Sequence, residues 1–143
     1  MFERYTDNAR KVIFFARHYA GKGGSPSIEC GHLLLATLEQ SGTMFFAAGL
    51  QGLAEHLADD IKKELPPAAS PIPSDVDMPV SSESVKALNT AIAEADRLKS
   101  SQVNLAHLTL GLMLECPKLK EILNRHGIDA SRVAQIAQQV DRA

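Results

Sequence analysis

Apolar residues recur at helical spacing from the start of the chain. Ala9, Val12, Ile13, Ala16 and Ala20 fall three or four apart, the period that lines one face of an α-helix. Thr6 or Asp7 offers a side-chain oxygen to cap that helix, and the turn Gly21 to Gly24 ends it. A second helix is expected from Cys30 or Gly31. It carries Leu33, Leu34, Leu35 and Leu38 and is apolar almost all round, which predicts a central, buried position. A short third helix is expected around Met44-Phe45-Phe46, and a fourth carries Leu53, Leu57 and Ile61.

The same order returns 75 positions later, without a gap, from Thr6–Leu38 to Ser81–Met113. Lys11 meets Lys86, Ala16 meets Ala91, Ala20 meets Ala95, and Ile28 meets Val103. His32-Leu33 meets His107-Leu108, and Leu35 meets Leu110. The second copy opens on Val85, Leu88, Ile92 and Ala95, capped by Ser81 or Ser82. Leu108, Leu110, Leu112 and Met113 follow, then Leu119, Ile122 and Leu123, then Val133, Ile136 and Val140. A unit present twice fits one duplicated domain better than a solenoid. The expectation is an all-α fold with repeat one at 1–65, a Pro-rich linker at 66–80 and repeat two at 81–143. Five prolines, Pro66, Pro67, Pro71, Pro73 and Pro79, make the linker extended. Ile72, Val76 and Met78 alternate with polar or proline positions, so it can lie along the helices.

Composition narrows the function. A chain of 143 residues with net charge −2 lacks the clustered Lys and Arg that backbone-driven nucleic-acid binding needs. No stretch approaches the roughly 18 apolar residues of a membrane span, and the opening Met1-Phe2-Glu3-Arg4-Tyr5 is not a signal peptide. A cytoplasmic location is expected, with no nucleic-acid or membrane partner. Cys30 and Cys116, far apart in sequence, read as small buried hydrophobes rather than a redox pair.

The segment Met1-Phe2-Glu3-Arg4-Tyr5-Thr6-Asp7-Asn8-Ala9-Arg10-Lys11-Val12-Ile13 resembles the start of ClpC-type unfoldases. The paired histidine helices at His32 and His107 resemble the double Clp-N repeat of the Clp/Hsp100 ATPases. The resemblance implies eight helices, as two pseudo-twofold-related four-helix repeats. It also implies a protein-binding role: docking adaptor proteins or unfolded substrate polypeptides for a Clp ATPase, as its N-domain or as a stand-alone relative. No G-x-x-x-x-G-K loop occurs, so the chain has no such means of hydrolysing ATP, and neither an enzyme activity nor a cofactor is expected.

The chain departs from the family where the histidine helix usually opens Thr-Glu-His. Here the triplets are Cys30-Gly31-His32 and Leu105-Ala106-His107. Glu29 and Asn104 are candidate replacement caps. In some ClpC-type relatives the acidic residue helps to hold phosphoarginine, and Gly31 and Ala106 cannot supply a carboxylate for its guanidinium-type donors.

Phe14, Phe15 and Tyr19 correspond to Asn89, Thr90 and Glu94, so the copies differ on this face. The rings are either core or groove. The family resemblance implies a hydrophobic peptide groove in the second copy near Thr90, Glu94 and His107. With two of those positions polar, the first-copy face of Phe15, Tyr19 and His32 is the better candidate. His32 and His107 read as satisfied helix-start residues rather than metal ligands, because positions 28, 36, 103 and 111 carry no Cys, His, Asp or Glu. His18, His56 and His126 read as surface residues. The alternative function is a metal- or thiol-based sensor using Cys30, His32, Cys116 and His107.

Overall fold

Thr6 and Ser81 each start a sixteen-residue helix, α1 (Asp7–Lys22) and α4 (Ser82–Arg97). Each hydroxyl accepts the N–H three residues on, from Ala9 and from Ser84, both at 3.1 Å. The computed structural model describes residues 2–40 and 54–139. Between and after the two capped helices lie α2 (Cys30–Gln40), α3 (Ala54–Lys62), α5 (Leu105–Glu115), α6 (Pro117–Arg125) and α7 (Ala130–Gln139). The described residues are therefore all-helical, with seven helices and no strands. The helix expected around Met44-Phe45-Phe46 lies outside them, as do Leu53 and Val140.

α1 packs along α2 and α4 along α5, and these are the most extensive helix contacts. α2 and α5 touch each other at the centre, α3 covers α2, and α7 covers α5. The small residues of the sequence pattern make this close packing possible: Ala16, Ala20, Ala91 and Ala95 are all fully buried. α2 and α5 bury residues on nearly every side, as their apolar sequences require.

The two halves are tied by an exchange of backbone. Tyr5 forms a parallel bridge with Val103, and Val80 forms one with Ile28. The hydrogen bonds match across the 75-residue offset. Val103 N–H donates to Arg4 O at 2.8 Å and Ile28 N–H to Pro79 O at 2.9 Å. Thr6 N–H donates to Val103 O and Ser81 N–H to Ile28 O, both at 3.0 Å. The segment before each first helix is thus bonded to the segment before the other copy's second helix. Tyr5 adds to this, with its buried hydroxyl donating to Leu88 O at 2.9 Å.

The linker lies against α1. Ala69 N–H donates to Gly23 O at 3.0 Å and Ile72 N–H to Gly21 O at 2.8 Å. Arg17 Nη2 donates to the carbonyls of Pro73 and Val76, each at 2.8 Å. Gly24, at φ 72°, makes the turn that brings these backbones together, and a Cβ there would stand 2.6 Å from Ser70 O. Its equivalent, Lys99, adopts the same left-handed backbone at φ 59° with a side chain attached. The two turns otherwise match, each closed by a serine hydroxyl, Ser25 to Ser27 O and Ser100 to Gln102 O, at 2.7 Å.

A left-handed non-glycine residue costs about 1 kcal/mol. Lys99→Gly is therefore expected to raise the melting temperature by about 2–5 °C. Gly24→Ala is expected to lower it, because strain and a backbone collision add. Thermal unfolding of the two variants beside the parent checks both signs.

Candidate functional site

The helix starts explain the paired histidines. Glu29 N–H donates to His32 Nδ1 and Asn104 N–H donates to His107 Nδ1, both at 2.9 Å. Asn104 Oδ1 accepts in turn from Ala106 N and His107 N at 2.9 and 3.1 Å. This is a capping box with histidine in the place of the usual Glu or Gln. In the first copy Glu29 occupies the cap position and its carboxylate accepts from Ser27 Oγ at 2.9 Å. Both rings are buried. An Nδ1 that accepts a backbone N–H carries no proton, so each ring serves its helix in the Nε2–H form.

Gly31 and Ala106 are buried beside these caps. A Cβ on Gly31 would stand 2.5 Å from Leu65 Cδ2. Leu65 thus occupies the space where a side chain at position 31 would start, and would have to turn aside to admit one.

The three first-copy aromatics do not share one groove. Phe14 is 72% exposed. Phe15 is half-buried against the core and meets Phe14 edge to face, with centroids 5.5 Å apart. Tyr19 donates its hydroxyl to Glu39 Oε2 at 2.5 Å. Burial, then the bond to Glu39, push its pKa up to about 12. Tyr19 and His32 line a 300 Å³ cleft closed by Leu65, Pro66, Pro67 and Ala68. Phe14 belongs to a different, largely apolar notch of 480 Å³, made with Arg17, His18, Lys22, Pro71 and Ile72 where the linker crosses α1.

The second-copy face is occupied by its own polar pairs. Thr90 Oγ1 donates to Glu115 Oε1 at 2.9 Å. Glu94 holds Arg97 through both carboxylate oxygens, at 2.8 to 3.2 Å.

One expectation is corrected by long-range packing, and another is extended by it. His126 is not a surface residue: its side chain is 14% exposed and Nε2 lies 2.7 Å from Asp60 Oδ2, joining α6 to α3. His18 and His56 are exposed, as expected. Cys30 and Cys116 are both buried, but they are not separate. Their sulfurs and a Glu83 carboxylate oxygen lie within 4.8 Å of one another. Neither histidine belongs to this group. Glu83 and the notch residues Pro71 and Ile72 were not among the candidate site residues of the sequence. The alternation of Ile72 in the linker was the available signal for the notch, and nothing local marked Glu83.

These features define a duplicated all-helical domain whose paired helices are started by buried histidine caps. Residues 4–126 match the family model of the Clp repeat (R) N-terminal domain, and the chain belongs to that family. It is 28% identical over 142 residues to the chloroplastic chaperone protein ClpD2 of Oryza sativa subsp. japonica, covering 96% of this chain and 15% of that protein. Its fold matches the ClpD N-terminal domain of Arabidopsis thaliana with a TM-score of 0.71, at 18% identity, covering 97% of this chain and 95% of that one. It also matches the Hsp104 N-terminal domain of Candida albicans with a TM-score of 0.74, at 22% identity, covering 96% and 91%. The chain thus spans about one seventh of the length of the curated relative. The family is the N-terminal domain of Clp ATPases, whose ATPase activity lies in other domains. Among the described residues no helix is long and apolar enough to cross a membrane.

The histidine cap has a pH signature. Burial holds the His32 pKa below the usual 6.5, with Glu29 opposing the shift. The unfolded chain takes up a proton near that pH which the folded chain refuses. Stability is therefore full above it and declines as pH falls toward the folded value. The Asp60 carboxyl, held below its usual range first by the hydrogen bond from His126, gives way only at lower pH. Melting temperatures between about pH 7.5 and 5 are expected to fall on the acid side in the parent. They should fall less steeply in His32→Ala, from a lower starting value.

Proposed function

We propose that the chain is a non-catalytic polypeptide-docking module for a Clp/Hsp100-type unfoldase, either as its N-domain or as a stand-alone relative. It acts as one domain, with repeats at 1–65 and 81–143 joined by the linker at 66–80. Its partners are adaptor proteins or substrate segments presented to the ATPase, in the cytoplasm, with no cofactor. Family membership supports this reading, and exposed Phe14 above the linker notch is the observation that carries it at residue level. Apolar area removed from water contributes about 25 cal/mol per Å². Phe14 and Ile72 offer such area, whereas Thr90 and Glu94 are engaged in polar pairs. Arg17, His18 and Lys22 rim the notch, so the segment that fits has an apolar anchor flanked by acidic residues. Tyr19 and His32 line the other cleft, Phe15 packs against the core, and His107 is engaged in its helix cap.

Fluorescence anisotropy with labelled peptides of that composition tests the assignment. Phe14→Ala is expected to weaken binding at least tenfold with unchanged melting temperature, because the ring is exposed. Thr90→Ala and Glu94→Ala should bind like the parent. Equal binding by Phe14→Ala would place the docking surface elsewhere. Calorimetry with free phosphoarginine is expected to show no saturable binding, since Leu65 fills the space beside Gly31 and Ala106 is buried. Micromolar binding would contradict that.

A further inference from the structure

The grouping of Cys30, Cys116 and Glu83 is unexplained by polypeptide docking. Cys30 is the first residue of α2, Cys116 stands at the junction of α5 and α6, and Glu83 lies in the first turn of α4. The cross-copy bridge at Ile28 places the α2 start on the α4 start. Ser84 fixes the alignment: its Oγ donates to Ile28 O at 3.0 Å and lies 3.7 Å from Cys30 Sγ. Pro117 in the first turn of α6 fixes the backbone beside Cys116. The three groups border a 510 Å³ cleft, also lined by Glu29, Glu64 and Lys118.

We propose that Cys30, Cys116 and Glu83 form a binding site for a thiophilic divalent cation of the zinc class. Two sulfurs and a carboxylate oxygen are the donor set such ions take. At bond lengths of about 2.3 Å to sulfur and 2.0 Å to oxygen, tetrahedral ligands stand about 3.5–3.8 Å apart. Donors already within 4.8 Å reach that spacing by side-chain rotation of the exposed Glu83 and a small closure of the cysteines. The fourth position faces the cleft and takes water. Binding converts both thiols to thiolates and releases two protons to solvent. The +2 ion leaves a net charge of −1 on the group, with the Lys118 ammonium bordering the same cleft. The ion would join α2 of one copy to α4 and the α5–α6 junction of the other, so its loading stabilises the contact between copies.

Cobalt(II) titration of the reduced full chain tests the site. The expected result is one equivalent bound, with a sulfur-to-cobalt charge-transfer band in the near ultraviolet and tetrahedral bands in the visible. Zinc should displace the cobalt. Calorimetry in buffers of different ionisation enthalpy should report about two protons released. Cys116→Ser should abolish the charge-transfer intensity expected of a two-thiolate site. Glu83→Gln keeps the length and polarity of an exposed side chain and removes only its charge, so it should keep the parent's melting temperature in chelator and weaken metal binding at least tenfold. Zinc should raise the melting temperature of the parent and not that of Cys116→Ser. No thiolate band, or equal binding by the parent and Glu83→Gln, would overturn the proposal.

Discussion

Four backbone hydrogen bonds between the copies hold the architecture. Each copy bonds the strand-like segment before its first helix to the segment before its neighbour's second helix, through Val103 with Arg4 and Thr6, and through Ile28 with Pro79 and Ser81. Their donors and acceptors sit where no helix can satisfy them, and leaving a buried one unmade costs about 1–3 kcal/mol. Neither copy alone has a partner for this pair of segments. The duplication is therefore a structural requirement, and α2 and α5 meet at the centre because these bridges set their starting points.

The histidine caps and the cysteine group lie close to those starting points. The bridges end one residue before Glu29 and Asn104, whose N–H groups the buried histidines accept. They also bring Cys30 against Ser84, beside Glu83. On the outer side of α1, the same chain geometry lays the linker over Gly21 and Gly23 and leaves Phe14 above an apolar notch. The proposed docking face and the proposed cation site thus lie on one frame without sharing residues.

Much of this frame was legible in the sequence because it is written locally. Helical spacing predicted α1, α2, α4 and α5, and cap chemistry narrowed three of their starts to Thr6 or Asp7, Ser81 or Ser82, and Asn104, of which the structure uses Thr6, Ser81 and Asn104. The histidines read correctly as structural because they recur at the repeat offset. What was not legible depends on contacts between distant segments. Cys30 and Cys116 meet only through the exchange of backbone, and His126 meets Asp60 only where α6 packs on α3. The aromatics of α1 were ambiguous for the same reason. A helix face does not state whether a later linker will cover it, and here the linker covers the face beside Phe14 but not the ring itself.

The central claim is that the exchanged bridges make the two copies one cooperative unit. Native-state hydrogen exchange tests it most directly. The amides of Thr6, Ile28, Ser81 and Val103 are predicted to exchange only with global unfolding. Their opening free energy and denaturant slope should equal those of Leu34 and Leu110 in the central helices. If Ile28 and Val103 instead exchange by a low-energy local opening, or if the amides of α2 and α5 open at different free energies, the copies are independent units. The bridges would then decorate the fold rather than hold it.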